Sequence, residues 1–389
     1  MNLHTRIRRH MAAALAASWL FIGGCGSLSP TGQRQPAAAP PHRAPVEAAA
    51  AAPAALRPIS VFGEFGPMMR RSESPMVEAG IQQHTACEDG DDADVALDPT
   101  GRWLAFSSTR HSERANIYLQ RVDGSSVIQL TGDAADDAHP AFSPDGKRLA
   151  FCSTRAGNWD IYVMDVDGRN VEQITNSPMQ ELHPSFSPDG TRLVYSALSP
   201  RSGQWELWVI DLRTRESKVI GAGLFPSWSP RRDVDRIAFQ RARQRGSRMF
   251  SIWTLDLVDG EPRRITEVAV SANAAVVSPK WSPDGSRLVF TTILSPSAGT
   301  GPTRQAIWTI GADGSGRQRL TDGVGINLSP FWAADNRIYF VSDRGGRENI
   351  WSVRVDGPRL TGAAAEAQPA PAANAPAAIG AAGTAELGH

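Results

Sequence analysis

His139-Pro140-Ala141-Phe142-Ser143-Pro144-Asp145-Gly146-Lys147-Arg148-Leu149-Ala150-Phe151, followed by Asp160-Ile161-Tyr162-Val163-Met164-Asp165 and Val171-Glu172-Gln173-Ile174-Thr175, is the stretch that decides the fold. Turn residues separate short apolar runs, and the last run ends in Ile-Thr. A second copy begins at His183-Pro184-Ser185-Phe186-Ser187-Pro188-Asp189-Gly190. Weaker copies centre on Asp98-Pro99-Thr100-Gly101, Trp228-Ser229-Pro230, Trp281-Ser282-Pro283-Asp284-Gly285 and Trp332-Ala333-Ala334-Asp335. From Pro99 through Pro144 and Pro188 to Pro230 the step is 42 to 45 residues, and Pro283 follows after 53. A period of about 40 to 45 residues with four strands per unit is that of a β-propeller blade, so six units predict an all-β, six-bladed propeller of four-stranded antiparallel blades.

Each unit carries its own turn chemistry. Proline fixes φ and glycine accepts positive φ, so the chain reverses at Pro-Asp-Gly. A second reversal recurs at Asp123-Gly124, Asp167-Gly168, Asp259-Gly260, Asp313-Gly314 and Asp356-Gly357, a strong hairpin signal between apolar runs. Runs such as Arg148-Leu149-Ala150-Phe151-Cys152 are apolar on both faces, as a blade between two neighbours requires. Tyr118, Tyr162, Trp208, Trp253, Trp308 and Trp351 recur at one place in the third strand and read as packing between blades. The sixth unit ends in Pro358-Arg359-Leu360-Thr361, where proline suits only an outer edge. Upstream, the strand-like Ile59-Ser60-Val61-Phe62-Gly63-Glu64-Phe65 is a candidate to close the ring on the last blade, the alternative being a loop across the propeller.

The flanks differ in kind. A basic start (Arg6, Arg8, Arg9) leads into an apolar run from Ala12 to Ile22 and then Gly23-Gly24-Cys25. The run is too short to cross a bilayer and reads as an export signal over residues 1–24. Ile22-Gly23-Gly24-Cys25 resembles a bacterial lipobox, which makes Cys25 the expected lipidation site and the lipid the only membrane attachment. Residues 25–56, rich in Ala and Pro, read as a tether, 57–90 as a pre-propeller segment, 91–361 as the propeller, and 362–389 as a disordered tail. The 40 acidic and 40 basic side chains balance, so no overall field favours nucleic acid. Besides Cys25 there are Cys87 and Cys152, at unrelated repeat positions, and both are expected as free thiols.

The motifs Phe-Ser-Pro-Asp-Gly, Leu-Ala-Phe-x-Ser-Thr-Arg and Asp-Ile-Tyr-Val-Met-Asp in Phe142 to Asp165 resemble the repeats of the TolB propeller family of the bacterial Tol-Pal envelope system. The resemblance covers roughly Asp91 to Thr361. It implies a six-bladed propeller that binds proteins without catalysis or cofactor, with envelope proteins as partners, a peptidoglycan-associated lipoprotein among them. It also implies residence at the periplasmic face, which the lipobox would refine to a lipid anchor in the outer membrane. The separate α/β domain that precedes the propeller in that family has no room between the tether and Gly90.

The loops between blades and those between second and third strands share one face of such a propeller, opposite the Pro-Asp-Gly turns. That loop face carries Asp91, Asp92, Asp94, Asp136, Asp137 and Glu181, with Arg241, Arg243, Arg245 and Arg248 in a blade-four loop. These residues, with His139 and His183, are the candidate partner-binding set, its acids expected in exposed loops where local fields steer a complementary protein. His139 and His183 also raise a metal hypothesis, set aside on the expectation that equivalent positions in adjacent blades point in different directions. Asp165-Val166-Asp167-Gly168 lacks the downstream glutamate of a calcium loop. A serine hydrolase would need Gly-x-Ser-x-Gly on a strand-to-helix turn, and the chain has no such motif. The rival reading is a propeller enzyme or carbohydrate-binding protein using the channel mouth.

Overall fold

The computed structural model describes residues 80–355, apart from 243–249, 272, 295–303 and 324, and every regular element among them is a strand. Strand β1 (Ile81–Gln83) comes first. Blade one is β2 (Asp92–Leu97), β3 (Trp103–Ser108), β4 (Asn116–Arg121) and β5 (Val127–Gln129), and blade two is β6 (Asp137–Phe142), β7 (Arg148–Ser153), β8 (Asp160–Asp165) and β9 (Glu172–Gln173). Blade three is β10 (Glu181–Phe186), β11 (Arg192–Leu198), β12 (Trp205–Asp211) and β13 (Ser217–Ala222). Blade four is β14 (Leu224–Trp228), β15 (Arg236–Ala242), β16 (Phe250–Val258) and β17 (Glu261–Ala269). Blade five is β18 (Ala275–Trp281), β19 (Arg287–Leu294), β20 (Arg304–Gly311) and β21 (Gln318–Arg319). Blade six is β22 (Asn327–Trp332), β23 (Arg337–Ser342) and β24 (Asn349–Arg354), completed by β1. The sheets are antiparallel throughout, and the first strand of each faces the axis.

The Ser-Pro-Asp-Gly turn works as a small hydrogen-bonded clasp. Asp145 Oδ1 accepts from Ser143 Oγ (2.6 Å) and Lys147 N (3.1 Å), while Ser143 Oγ accepts from Arg148 N (2.9 Å). The same clasp recurs at Ser187/Asp189 and Ser282/Asp284. Gly146 sits at φ +70°, and a Cβ there would meet Pro99 of the preceding blade at 3.3 Å, so conformation and neighbour both select glycine. The core is divided among blade interfaces: Ala105, Ile117 and Leu119 of blade one pack on Leu149, Phe151 and Met164 of blade two, and Phe106 and Tyr118 pack on Tyr339 and Ile350 of blade six. Each third-strand aromatic pairs in register with a second-strand aromatic, Phe106 with Tyr118 and Phe340 with Trp351 among them; Tyr118 and Tyr162 are core as expected, whereas Trp208, Trp253, Trp308 and Trp351 are half-buried and pack against the core from its edge.

The ring is closed from within the 57–90 segment expected to supply the closing strand, but at β1, downstream of Ile59–Phe65. The place beside β24 belongs to β1, in the register Ile81↔Val353, Gln82↔Ser352, Gln83↔Trp351. Ile59–Phe65 and Pro358–Thr361, the two stretches read as last-blade strands, lie outside the described residues, as do the signal, Cys25, the tether and the tail. Thr85 explains the choice. In other blades the Thr after the fourth strand accepts the amide of a third-strand Ile, Thr131 from Ile117 (2.9 Å) and Thr175 from Ile161 (2.8 Å). Thr85 does the same for Ile350 (2.9 Å), and Gln83 Nε2 donates to Thr85 O as Gln129 Nε2 donates to Thr131 O. Cys87 and Cys152 are separate buried thiols, that of Cys152 pushed well up by burial.

Candidate functional site

Every inner strand is bulged at the same place. Between Ala93 and Ala96, Ala138 and Ala141, Leu182 and Ser185, Leu224 and Ser227, Val277 and Lys280, and Leu328 and Phe331, the register slips. The first extra residue adopts left-handed backbone, φ 49° to 59°: Asp94, His139, His183, Phe225, Ser278 and Ser329. No glycine is used, although such a conformation costs about 1–2 kcal/mol per residue, and bulges re-aim side chains. Here equivalent side chains of neighbouring blades meet. His139 Nδ1 lies 3.1 Å from Asp94 Oδ1, the His139 and His183 ring centroids are 4.3 Å apart, and those of His183 and Phe225 are 3.8 Å apart. Equivalent residues of blades one to four can touch only where blades converge, so this rung is the throat of the central channel.

The expectation that His139 and His183 diverge is therefore wrong. The bulges turn them together, and simple alternation along a strand does not foresee that. Among the described residues no three His, Cys, Asp or Glu side chains gather as a metal ligand set. Ser107 Oγ donates to Asp94 Oδ2 (2.8 Å). Burial alone would raise the Asp94 carboxyl, but the charge and hydrogen bond of His139 and the bond from Ser107 hold it below the usual carboxylate value. Burial, with His139 and Lys280 nearby, drives the His183 imidazole well below its ordinary value, and neither of its ring nitrogens has a hydrogen-bond partner.

Two residues further along each strand lies a second rung: Ala96, Ala141, Ser185, Ser227, Lys280 and Phe331. All six line a cavity of about 430 Å³ whose wall also includes Pro99, Pro144, Pro188, Pro230 and Pro283 of the Pro-Asp-Gly face. Lys280 carries the one charge of that rung. Burial lowers its ammonium to about 8, against the attraction of Asp94. A depression of about 680 Å³ lies off the axis against Val355, but its Asp284 is consumed by Ser282 and Ser286, and Arg287 donates to Thr309 and Gly316.

The loop-face acids are not the exposed patch anticipated. Asp92, Asp137 and Glu181 are fully buried, and Asp136 nearly so. Asp92 takes both oxygens to Arg110 (2.9 Å each), Asp137 is held by Arg155 (3.1 and 3.3 Å), and Asp136 pairs with Arg114 (2.9 Å). Arg110 and Arg155 also lie over the aromatic pairs Phe106/Tyr118 and Phe151/Tyr162. These are clamps between first strand, second strand and core. Asp91 is half-buried at the start of blade one, its amide donating to Thr109 Oγ1 (3.0 Å). Arg241 stacks on Trp253, while Arg243, Arg245 and Arg248 lie outside the described residues. In blade three the clamp position holds Ser199, and Glu181 instead accepts from Ser177 Oγ (2.7 Å) and shares a hydrogen bond with the Asp160 carboxyl. Burial first, with Asp160 adding, raises Glu181 to about 7.

Fold and channel define a six-bladed propeller with an axial cavity lined by residues of all six blades. The chain belongs to the TolB beta-propeller family: residues 76–166, 158–297 and 268–377 match the TolB beta propeller domain. It is 34% identical over 108 residues to an uncharacterised protein of Agrobacterium fabrum, covering 28% of this chain and a third (33%) of that protein. The structure of TolB from Acinetobacter baumannii is similar at 20% identity and a TM-score of 0.51, over 69% of this chain and 65% of that one. A gluconolactonase of Xanthomonas campestris has the same fold at 14% identity and a TM-score of 0.52, over 72% and 91%. At these identities the likeness is one of fold.

Proposed function

We propose that this chain is a non-catalytic binding module of the bacterial envelope, exported, lipid-anchored through Cys25 at the periplasmic face of the outer membrane, and engaging an envelope protein at the channel funnel. The observation that carries this reading is the funnel, where all six blades contribute to one cavity. The loop-face acids, engaged within the blades, contribute rigidity there, and the turn face takes over as the binding face. Family membership supports a protein-binding role. The test is a photo-crosslinking amino acid placed at Phe142 in the funnel, with Val127 on an outer strand as control, in intact cells. A small set of envelope proteins captured from Phe142 and absent from Val127 is the expected result; equal capture from both, or none, overturns the reading. A second reading, a propeller enzyme, is favoured by one observation: a carboxylate-imidazole pair, Asp94–His139, beside a second imidazole. That is ordinary equipment for a general base, and hydrolysis of gluconolactone lost on His139→Asn would establish it.

A further inference from the structure

We propose that the floor of the channel funnel is a binding site for a carboxylate carrying a ring-shaped or apolar body, with Lys280 as its counter-ion. This goes beyond the module reading and relies on it only for the funnel as binding face.

The first support is an imbalance of charge. Lys280 sits near one buried carboxylate, Asp94, already engaged by His139 and Ser107, while burial drives the neighbouring His183 imidazole well below its ordinary value and so away from its charged form. Lys280 is attracted to Asp94 but, among the described residues, makes no hydrogen bond or ion pair. A half-buried cation facing a cavity without a partner attracts a negative group into that cavity. The other acid on the funnel wall, Asp98, cannot supply it, because its oxygens accept from Thr100, Arg102 and Trp103 within its own turn.

The second support is the hydrogen-bonding capacity around Lys280. On the same rung, Ser185 Oγ accepts from Trp228 N (3.0 Å) and keeps its own proton to donate. One rung deeper, the buried His183 ring lies behind the cavity wall and leaves the ligand head to Lys280 and Ser185. A carboxylate has lone pairs for both Lys280 and Ser185, whereas a cationic ligand would face Lys280. The third support is shape. The cavity has the volume of a small-molecule site, and the half-buried rings of Phe142 and Phe331 stand on its walls with rigid prolines around them. Such walls accept the flat body of an acid while Lys280 holds its head.

The test uses the purified full chain and three probes: benzoate, its neutral isostere benzamide, and the tripeptide Ac-Ala-Ala-Phe with a free C-terminal carboxylate. Binding is followed by tryptophan fluorescence and melting temperature. Benzoate is expected to bind and raise the melting temperature, and benzamide to bind at least tenfold more weakly. Binding of the tripeptide more tightly than benzoate identifies a peptide carboxylate as the source; the reverse identifies a free small acid. Lys280→Met should lose at least about tenfold in benzoate affinity, and Lys280→Arg should retain it within a few-fold. Benzoate binding by the unaltered chain should weaken above pH 8, as the ammonium loses its proton, a measurement that stands even if a variant fails to fold. Equal binding of benzoate and benzamide, unchanged affinity in Lys280→Met, or absence of carboxylate binding overturns the proposal. Absence of crosslinked partners in cells would leave this result standing, so the two failures are distinguishable.

Discussion

Replacing Glu181 with glutamine should stabilise the protein progressively as pH rises from 4.5 to about 7, and by a constant amount above that. Glu181 is buried at the first position of blade three, where Ser199 stands in place of a clamping arginine, and its carboxyl is raised from 4.5 to about 7. Raising an acid above its unfolded value means that the folded state keeps a proton which the unfolded chain releases. Stability is therefore fully present below pH 4.5 and falls as pH rises to about 7. At about 1.4 kcal/mol per pH unit, the loss above pH 7 is about 3 kcal/mol. Glu181→Gln keeps the shape, can accept from Ser177 and donates an N–H to Asp160 without titrating. Urea unfolding at pH 4.5 and pH 8 should give nearly equal stability for the two proteins at the lower pH. At pH 8 the variant should be more stable by about 2–3 kcal/mol. Taking the difference between proteins cancels groups that titrate in both, such as His183, whose depressed pKa makes stability fall on acidification instead. A variant destabilised by the same amount at both pH values would refute the reasoning.

Arg155→Leu should cost about 2–4 kcal/mol, because it strands the buried Asp137 carboxylate, and adding Asp137→Asn should restore most of the loss; a double variant no better than the single one in urea unfolding would show that the clamp is not electrostatic. Deleting Leu56 to Phe65 should leave the melting temperature unchanged, whereas deleting Gly80 to Thr85 should lower it by about 10 °C or more; calorimetry giving equal values for both deletions would mean that β1 does not hold the ring.

Much of the architecture was legible because the repeat states it six times. Pro-Asp-Gly, Asp-Gly and the third-strand aromatics each specify a local conformation, and all agree. The closing strand escaped for a definite reason: Ile81-Gln82-Gln83-His84-Thr85 has the Gln-x-Thr ending of Gln129-Leu130-Thr131, but His84 replaces the expected apolar residue. That histidine is accommodated by Ser352 Oγ (2.7 Å) and the Val122 carbonyl (3.1 Å), contacts that only the folded ring creates. The channel site was half legible. His139 and His183 stood out by position, yet their convergence depends on bulges that leave no glycine signature, and Lys280 is distinguished only when the six inner strands are set in register. The loop acids misled because Asp92 and Asp137 find their arginines 18 positions on, across a hairpin, where sequence shows merely a charged loop.

The seam between β1 and β24 also sets a schedule for the chain's birth. His84 and Ser352, which touch in the finished ring, are 268 positions apart. At ribosomal rates of about 5–20 residues per second, the first strand waits roughly 15 to 50 seconds for its partner to be made. Throughout that wait blades one to five can fold on one another in order of synthesis, but blade six cannot, since its outermost strand was made first and the rest of it last. A chain cut short anywhere before Asn349 is thus an open arc with two unsatisfied ends, and the ring can close only once β24 has been made.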